Sequence, residues 1–310
     1  FMNSTLVVVV CDRDLWNFEL LVRSMGKFME PCRCIFIFNE DGSKMKFFKK
    51  WYAEFCEPYL KKFLVRVLHK DYFFHDYSLE DQDFRLLSEP IYNQQLLKLF
   101  VSEIIVTEKY TVLDCKNFIT RPCKLADLKQ TYPENITFAD HYLLGFVLAC
   151  CAKLDVRFTT KKEFKLSANI TPFIMHKKKV AKLIKHFDGK KNLHIWMLNW
   201  CHEHSNMAEF YLYEVFCIAK GMQDMGEVLS NTITIWEHSF SESHMLPGIE
   251  FYVKYEEELG RRMGFKFYVA GLHTHTRDYI NPEDIHTLLK YYDMDDCYPV
   301  SRGAPFKKIK

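Results

Sequence analysis

The strongest constraint on the fold is an unbroken apolar run close to the N-terminus, residues 5–11, which reads TLVVVVC. A strand with one solvated face alternates apolar and polar residues, whereas a strand covered on both faces is apolar throughout. The four consecutive valines are also β-branched, which favours an extended backbone. This run therefore predicts an inner strand of a mostly parallel sheet.

Alternating strand and helix patterns follow this first strand. Helical spacing predicts helices over 16–29, 47–63 and 90–106, and apolar runs predict strands over 32–39, 63–68 and 110–114. Such an order is typical of an α/β fold in which helices flank a doubly wound, Rossmann-like sheet.

The second half of the chain is less regular. We predict helices over 140–152, 171–187, 207–221 and 282–292, and strands over 191–197, 232–236 and 265–270. Pro172 suits the first turn of a helix, which supports a helical start at 171.

Composition restricts the cellular setting and the partners. The formal net charge is only +2, which argues against a nucleic-acid partner. Eleven cysteines in a chain of 310 residues predict reduced thiols in a cytoplasmic protein. No apolar run approaches the roughly 20 residues of a membrane-spanning helix. Any membrane contact is therefore expected to be peripheral, at the inner face of the membrane.

Charged residues stand where two of the predicted strands end. Asp12 and Arg13 follow the first strand, while Asp114 closes the strand over 110–114 and precedes Lys116 and Asn117. Because parallel strands present ligands at their C-terminal ends, Asp12 and Asp114 are predicted to face one crevice. Turn formation or helix capping would explain the same aspartates without a ligand.

A block of motifs over 92–122 resembles a known family. It comprises Tyr92-Asn-Gln-Gln-Leu-Leu-Lys98, Val112-Leu-Asp-Cys-Lys-Asn117 and Arg121-Pro122. Thr171-Pro172-Phe173 and Ala208-Glu209-Phe210 fit the same pattern further along. The pattern is similar to that of bacterial glycosyltransferases of the GT-A fold that are associated with capsule and lipopolysaccharide genes. The resemblance implies transfer of a sugar from a nucleotide-sugar donor to an oligosaccharide or lipid-linked glycan acceptor.

The resemblance also divides the chain and assigns a donor site. Residues 1–122 would hold the nucleotide sugar, 123–300 would form an irregular acceptor half of the same domain, and 301–310 would be a tail. The candidate donor-binding residues are Asp12, Arg13, Gln95, Lys98, Asp114, Asn117 and His273. Gln95 and Lys98 lie three positions apart, and thus on one helical face.

The residue at position 116 departs from the Asp-x-Asp motif of metal-dependent GT-A enzymes, although the family that the chain resembles has either aspartate or lysine at this place. GT-A enzymes commonly neutralise the departing diphosphate with Mn²⁺ or Mg²⁺ held by an Asp-x-Asp motif, and here the third place is Lys116. An ammonium group can supply part of that charge, in which case Lys116 is catalytic and no metal is required. The alternative is a metal site that includes Asp114 and His273.

The acceptor side is assigned to the segment around 209. Glu209 is the candidate general base for the acceptor hydroxyl, and Tyr213, one turn later, is the candidate for stacking on a sugar. If Glu209 is the base, the displacement inverts the anomeric centre. A glutamate that complements a helix dipole would give the same sequence pattern.

Two other functions fit parts of the sequence. A sugar nucleotidyltransferase uses a similar sheet and an acidic strand end, but residues 11–16 lack the glycines of its phosphate loop. A non-catalytic carbohydrate-binding subunit would explain Lys116 as a mark of lost metal chemistry.

Overall fold

The fold is seen in a computed structural model of the chain. The structure describes residues 4–76, 90–128, 144–156, 171–204, 207–222, 232–235, 254, 257–258, 260–262, 267–272 and 282–301.

Within these residues, strands and helices largely alternate over the first 120 positions. The strands are β1 (Ser4–Val10), β2 (Arg33–Phe38), β3 (Leu64–His69), β4 (Lys109–Asp114), β5 (Asn117–Ile119), β6 (Phe173–His176), β7 (Thr232–Ile235) and β8 (Val269–Leu272). The α-helices are α1 (Leu15–Phe28), α2 (Met45–Phe55), α3 (Asp71–Phe74), α4 (Pro90–Phe100), α5 (Leu144–Lys153), α6 (Lys177–His186), α7 (Lys190–His204), α8 (Glu209–Ala219) and α9 (Pro282–Tyr291).

The main sheet has five strands in the order β3-β2-β1-β4-β6. All neighbouring pairs are parallel except β4 with β6, which run antiparallel. The predicted α/β fold with a mostly parallel sheet flanked by helices is confirmed. Strand order reverses direction beside β1, so β1 and β4 border the position where such sheets bind ligands.

The valine run of β1 supplies two hydrophobic cores at once. Leu6, Val8 and Val10 pack on the side of α1 and α2, while Val7 and Val9 pack on the side of α4, α5 and α8. All five side chains are at most 1 % exposed. Successive side chains of a strand point to opposite faces, which explains why positions 6–10 of this strand are all apolar.

Two sequence predictions in the second half were wrong. Residues 191–197 belong to helix α7 rather than to a strand, because Leu193, Met197 and Cys201 are buried at the four-residue spacing of a helix. The predicted helix over 171–187 is the strand β6 followed by α6. In β6, buried Phe173 and Met175 alternate with half-buried neighbours, which is the two-residue period of a strand, so Pro172 precedes a strand.

The register of the sheet gathers polar residues at one edge. Val9 of β1 lies opposite Asp114 of β4, so Asp12 and Asp114 both lie at the C-terminal edge of the sheet. A smaller sheet of order β5-β8-β7 adjoins this edge, and Asn117 of β5 lies opposite Gly271 of β8. The backbone thus places Asp12 and Asp114 at the same edge of the sheet, which the predicted crevice requires.

Two predictions from composition concern the cysteine thiols and membrane-spanning helices. All eleven cysteines are buried and free. In the part of the chain that the structure describes, no helix combines the length and apolar character needed to cross a bilayer.

The packing of β4 gives a stability prediction. Leu113 is fully buried, whereas Leu64 on β3 is 56 % exposed. We expect L113A to lower the free energy of unfolding by about 2–5 kcal/mol, since it leaves a cavity in the core. The matched variant L64A should change it by about 0.5 kcal/mol or less. Urea denaturation measures both, and equal losses would contradict the position of β4 in the core.

Candidate active site

Asp114 and Lys116 form the solvent-facing part of a charged cluster where β4 ends. Lys116 Nζ lies 3.4 Å from Asp114 Oδ2, and the two side chains are 24 % and 17 % exposed. Cys115 between them points into the core, where its thiol donates to the carbonyl of Val9 at 3.1 Å. In the turn after β4, Cys115 thus points inward while the side chains of Asp114 and Lys116 lie together toward solvent.

Lys98 lies beneath this pair and joins two carboxylates. Its Nζ is 3.0 Å from Asp114 Oδ1 and 2.8 Å from Glu209 Oε1, and its side chain is only 6 % exposed. The Glu209 side chain is 2 % exposed. A buried charge is stable only when it is paired, so Lys98 and its two partners depend on one another.

Helix α4 presents Gln95 and Lys98 to the first turn of α8. Gln95 Oε1 accepts a hydrogen bond from the backbone N–H of Glu209 at 3.1 Å. The first N–H groups of a helix have no partner within the helix, and Gln95 satisfies one of them. The prediction that Gln95 and Lys98 share one helical face is consistent with both contacts, and this face points to α8.

Burial and charge together set the ionisation of the cluster. Burial alone would raise the pKa of Asp114, but the ammonium groups of Lys98 and Lys116 outweigh it and hold that pKa well below its usual range. Burial would lower the pKa of Lys98, yet Asp114 and Glu209 outweigh it and raise that pKa. Burial raises the pKa of Glu209, and Lys98 offsets this only in part. Glu209 is therefore the carboxylate that accepts a proton more readily.

Asn117 fixes the backbone of Asp114 from the other side. Its Oδ1 accepts from the N–H of Asp114 at 2.9 Å and from the hydroxyl of Thr171 at 2.5 Å. A side chain at Gly271 would place a Cβ 2.8 Å from Asn117 Nδ2, so any larger residue would force the Asn117 amide to move where β8 passes it. The N–H of Leu272 bonds to the carbonyl of Lys116 at 3.0 Å, which ties β8 to the same turn.

The separate motifs of the sequence meet around this cluster. Phe173 stacks on Phe210 with ring centroids 3.9 Å apart and planes 4° from parallel. The ammonium of Lys98 lies 4.9 Å from the centroid of the Phe210 ring, a cation–π distance. The segments around 95, 114, 171 and 209 thus form one three-dimensional site.

A second polar group lies where β1 and β2 end. Lys44 Nζ is 2.9 Å from Asp12 Oδ2 and 3.5 Å from Glu40 Oε2. Glu40 Oε1 also accepts from the N–H of Asp12 at 3.0 Å. The Arg13 side chain is 56 % exposed beside this group. Asp12 and Arg13 therefore lie at the same edge of the sheet as Asp114, on the neighbouring strand.

Tyr213, which was predicted to stack on a sugar, is not part of the observed cluster. The structure places Tyr213 in the core, where its ring is 5 % exposed and its hydroxyl accepts from the N–H of His176 at 3.1 Å. Protein contacts cover the ring surface that a sugar would need, so Tyr213 is left out of the site proposed below. His273 lies outside the described residues.

Glu40, Lys44 and Thr171 are contributors that the sequence predictions missed. Glu40 follows β2 in the same way that Asp12 follows β1, so the rule of strand ends would have found it. Lys44 pairs with Glu40 four positions earlier, a spacing visible in the sequence. Thr171 belongs to the Thr171-Pro172-Phe173 motif, but its contact with Asn117 joins positions 54 residues apart and has no local signal in the sequence.

The oxygen donors around Asp114 are already engaged. Lys98 and Lys116 each hold one oxygen of Asp114, and the side-chain oxygen of Asn117 is bonded inside the protein. Within the described residues, no group of three or more histidine, cysteine, aspartate or glutamate side chains is arranged to hold a metal ion. The donor set described here thus does not fit a divalent cation, which requires several free oxygen ligands.

The shared cation gives a prediction for stability. K98M would leave two buried carboxylates without their partner, so we expect it to lower the free energy of unfolding at pH 7 by about 3–5 kcal/mol. The matched variant K116M keeps Lys98 in place and removes a partly solvated ammonium, so it should cost about 1 kcal/mol or less. Urea denaturation at pH 7 measures both.

The loss of unfolding free energy in K98M should also depend on pH. The pKa of Asp114 in the folded wild type lies below that of an unfolded aspartate, which is about 4. The ionised carboxylate therefore contributes stability above about pH 4. That contribution is lost as the pH falls through the lower pKa of the folded protein. In K98M the buried carboxylates would have raised pKa values, so protonation would favour folding. The difference between the two proteins should be largest at pH 7 and smaller at pH 4. A constant difference would contradict the ion pairs.

Comparison with solved structures identifies the fold. A crystal structure of an active-site mutant of LgtC matches at a TM-score of 0.50 and 11 % identity, covering 97 % of this chain and 100 % of that one. The galactosyltransferase LgtC in complex with donor and acceptor sugar analogs gives 0.49 at 11 % identity over 96 % and 97 % of the chains. Mouse xyloside xylosyltransferase 1 gives 0.44 at 7 % over 86 % and 97 %. At this identity the likeness to LgtC shows a GT-A fold and nothing further.

Sequence comparison gives the family. No curated protein matches the chain. A family model described as a family of unknown function, DUF6492, matches residues 6–235, which is more than half of the chain. The protein therefore belongs to the DUF6492 family.

Proposed function

We propose that this protein is a glycosyltransferase that moves a sugar from a nucleotide-sugar donor to an oligosaccharide or lipid-linked glycan acceptor. One observation carries the proposal: motif residues far apart in sequence meet around Asp114, at the C-terminal edge of a parallel sheet with the GT-A fold. The motifs resemble those of transferases associated with capsule and lipopolysaccharide genes, which supports a surface polysaccharide as the product.

The donor nucleotide is assigned to the edge between β1 and β4. Ligands of such sheets bind outside the carboxyl ends of the strands, where the strand order reverses. Asp12 is 37 % exposed and Asp114 is 17 % exposed at this edge, so both carboxylates can accept hydrogen bonds from ribose hydroxyls. Residues 1–122 supply both carboxylates and form the proposed nucleotide-binding half.

The donor diphosphate is assigned to the basic side chains that reach solvent there. Lys116 is 24 % exposed and Arg13 is 56 % exposed, and both can donate to phosphate oxygens. Negative charge grows on the nucleoside diphosphate as its bond to the sugar breaks. An ammonium already held in place stabilises that charge without reorganisation, which is the catalytic role proposed for Lys116.

Glu209 supports the site from the acceptor half, 123–300. The raised pKa of its carboxylate suits a general base, since a base must take a proton near the working pH. Its 2 % exposure and its contact with Lys98 also suit a positioning role. Both roles are tested below through a variant that keeps the shape of the side chain.

The proposed setting is the cytoplasm at the inner face of the membrane, where nucleotide sugars and lipid-linked acceptors meet. The buried free thiols agree with a reducing compartment.

The donor assignment is tested with D114N. We expect one nucleoside diphosphate, or cytidine monophosphate, to raise the melting temperature of the wild type, because a ligand of the native state stabilises it by mass action. D114N should abolish that shift, since an amide cannot hold both lysines. The control D295N changes an exposed aspartate far along the chain and should bind as the wild type does. A wild type whose melting temperature is raised by neither cytidine monophosphate nor any of the common nucleoside diphosphates would refute the proposal.

The role of Glu209 is tested with E209Q. If Glu209 is the base, release of nucleoside diphosphate from the matching nucleotide sugar in the presence of acceptor should fall about 10²–10⁴-fold while donor affinity stays the same. If Glu209 positions Lys98, donor affinity should fall as well. The exposed control E54Q should leave both quantities unchanged. Turnover and affinity equal to the wild type would remove Glu209 from the mechanism.

A further inference from the structure

We infer that the ammonium groups of Lys98 and Lys116 take the place of a divalent cation in this active site, so that the nucleotide binds without Mn²⁺ or Mg²⁺. This inference rests on the proposed function and adds a specific chemistry to it. It starts from the mismatch between the oxygen donors around Asp114 and the needs of a metal ion.

A divalent cation would find its usual ligands occupied. Asp114 Oδ1 is 3.0 Å from the Lys98 ammonium and Asp114 Oδ2 is 3.4 Å from the Lys116 ammonium. Glu209, the other carboxylate, is bound to Lys98 and is 2 % exposed. A metal ion at Asp114 would lie next to two positive charges, and the repulsion would be strong because Lys98 is shielded from water.

The amide of Asn117 is not a free ligand either. Its oxygen accepts from the N–H of Asp114 and from the hydroxyl of Thr171, and its nitrogen lies against Gly271. Rotating this amide toward a metal would break both hydrogen bonds. Mg²⁺ and Mn²⁺ bind to several hard oxygen ligands, so one carboxylate shared with two lysines is a poor site.

The charge of the cluster equals that of a metal-loaded motif. Lys98 and Lys116 contribute two positive charges, and Asp114 and Glu209 contribute two negative charges. A divalent cation held by the two carboxylates of an Asp-x-Asp motif has the same sum. The two lysines thus provide the electrostatic balance that a GT-A enzyme with an Asp-x-Asp motif obtains from the ion, and Lys116 stands in the place of the second aspartate.

The two lysines have different roles in this arrangement. Lys98 is 6 % exposed and holds Asp114 and Glu209 in place, so it acts through them as a positioning residue. Lys116 is 24 % exposed, and its carbonyl is fixed by the N–H of Leu272. Its ammonium is therefore the one that can reach a diphosphate.

The first test compares nucleotide binding with and without metal. The wild type should bind its nucleoside diphosphate with the same affinity in EDTA and in Mn²⁺, measured by isothermal titration calorimetry. K116M should lower the affinity at least about tenfold, because it removes one charge-assisted contact, and Mn²⁺ should not restore it. Binding by the wild type that requires Mn²⁺ would overturn the inference while leaving the proposed function intact.

The second test rebuilds the metal motif. K116D creates the sequence Asp-Cys-Asp, removes one of the two repelling ammonium groups and adds a carboxylate, so we expect its nucleotide binding to depend on Mn²⁺. The control K62D introduces the same change at an exposed turn and should remain independent of metal. Mn²⁺ bound to the protein can be followed by electron paramagnetic resonance, which needs no activity and no nucleotide.

The outcomes distinguish a failure of the metal-free inference from a failure of the proposed function. Metal-independent binding by the wild type and Mn²⁺ binding gained only by K116D would support the inference. Tight Mn²⁺ binding by the wild type would overturn it, whether or not K116D folds. Absence of nucleotide binding in every condition would refute the proposed function, and the inference with it.

Discussion

One buried ammonium, that of Lys98, connects the parts of the molecule that form the candidate site. It joins the end of β4 through Asp114 and the start of α8 through Glu209, while its own helix α4 lies between them. Removing a charge from water is costly unless a partner with opposite charge is in place. The three elements must therefore assemble together, and the ion pairs exist only in the folded protein. The position of the Asp114 carboxylate thus depends on the packing of β4, α4 and α8 together.

The sheet explains why this network lies at the end of the strands. Alternating residues of β1 fill both hydrophobic cores, so positions 6–10 of this central strand carry only apolar side chains. Polar side chains collect instead where the strands end. Asp12, Glu40 and Asp114 lie at this edge because their strands are parallel and in register. The same burial that stabilises the fold leaves one edge available for chemistry.

The sequence was sufficient for the parts of the fold that depend on local pattern. The valine run predicted an inner strand, and the strand ends predicted that Asp12 and Asp114 would lie at one edge. It was insufficient where the outcome depends on packing between distant elements. Gln95 contacts the N–H of Glu209 across 114 positions, and no local pattern encodes that pairing. The error over 191–197 differs in kind, since the four-residue spacing of Leu193 and Met197 was visible.

In the metal-free arrangement that we infer, the catalytic charge belongs to the chain and its desolvation cost is met when the protein folds. A metal-dependent site instead acquires its charge together with the ion, so ligand binding and metal binding are coupled. Without a ligand, Asp114 serves as the counter-ion that keeps Lys116 in position. When a diphosphate arrives, its oxygens share that ammonium with Asp114, and Lys98 keeps the carboxylate from remaining unpaired. Lys98 is therefore the residue that allows Lys116 to contact the substrate while Asp114 stays ionised.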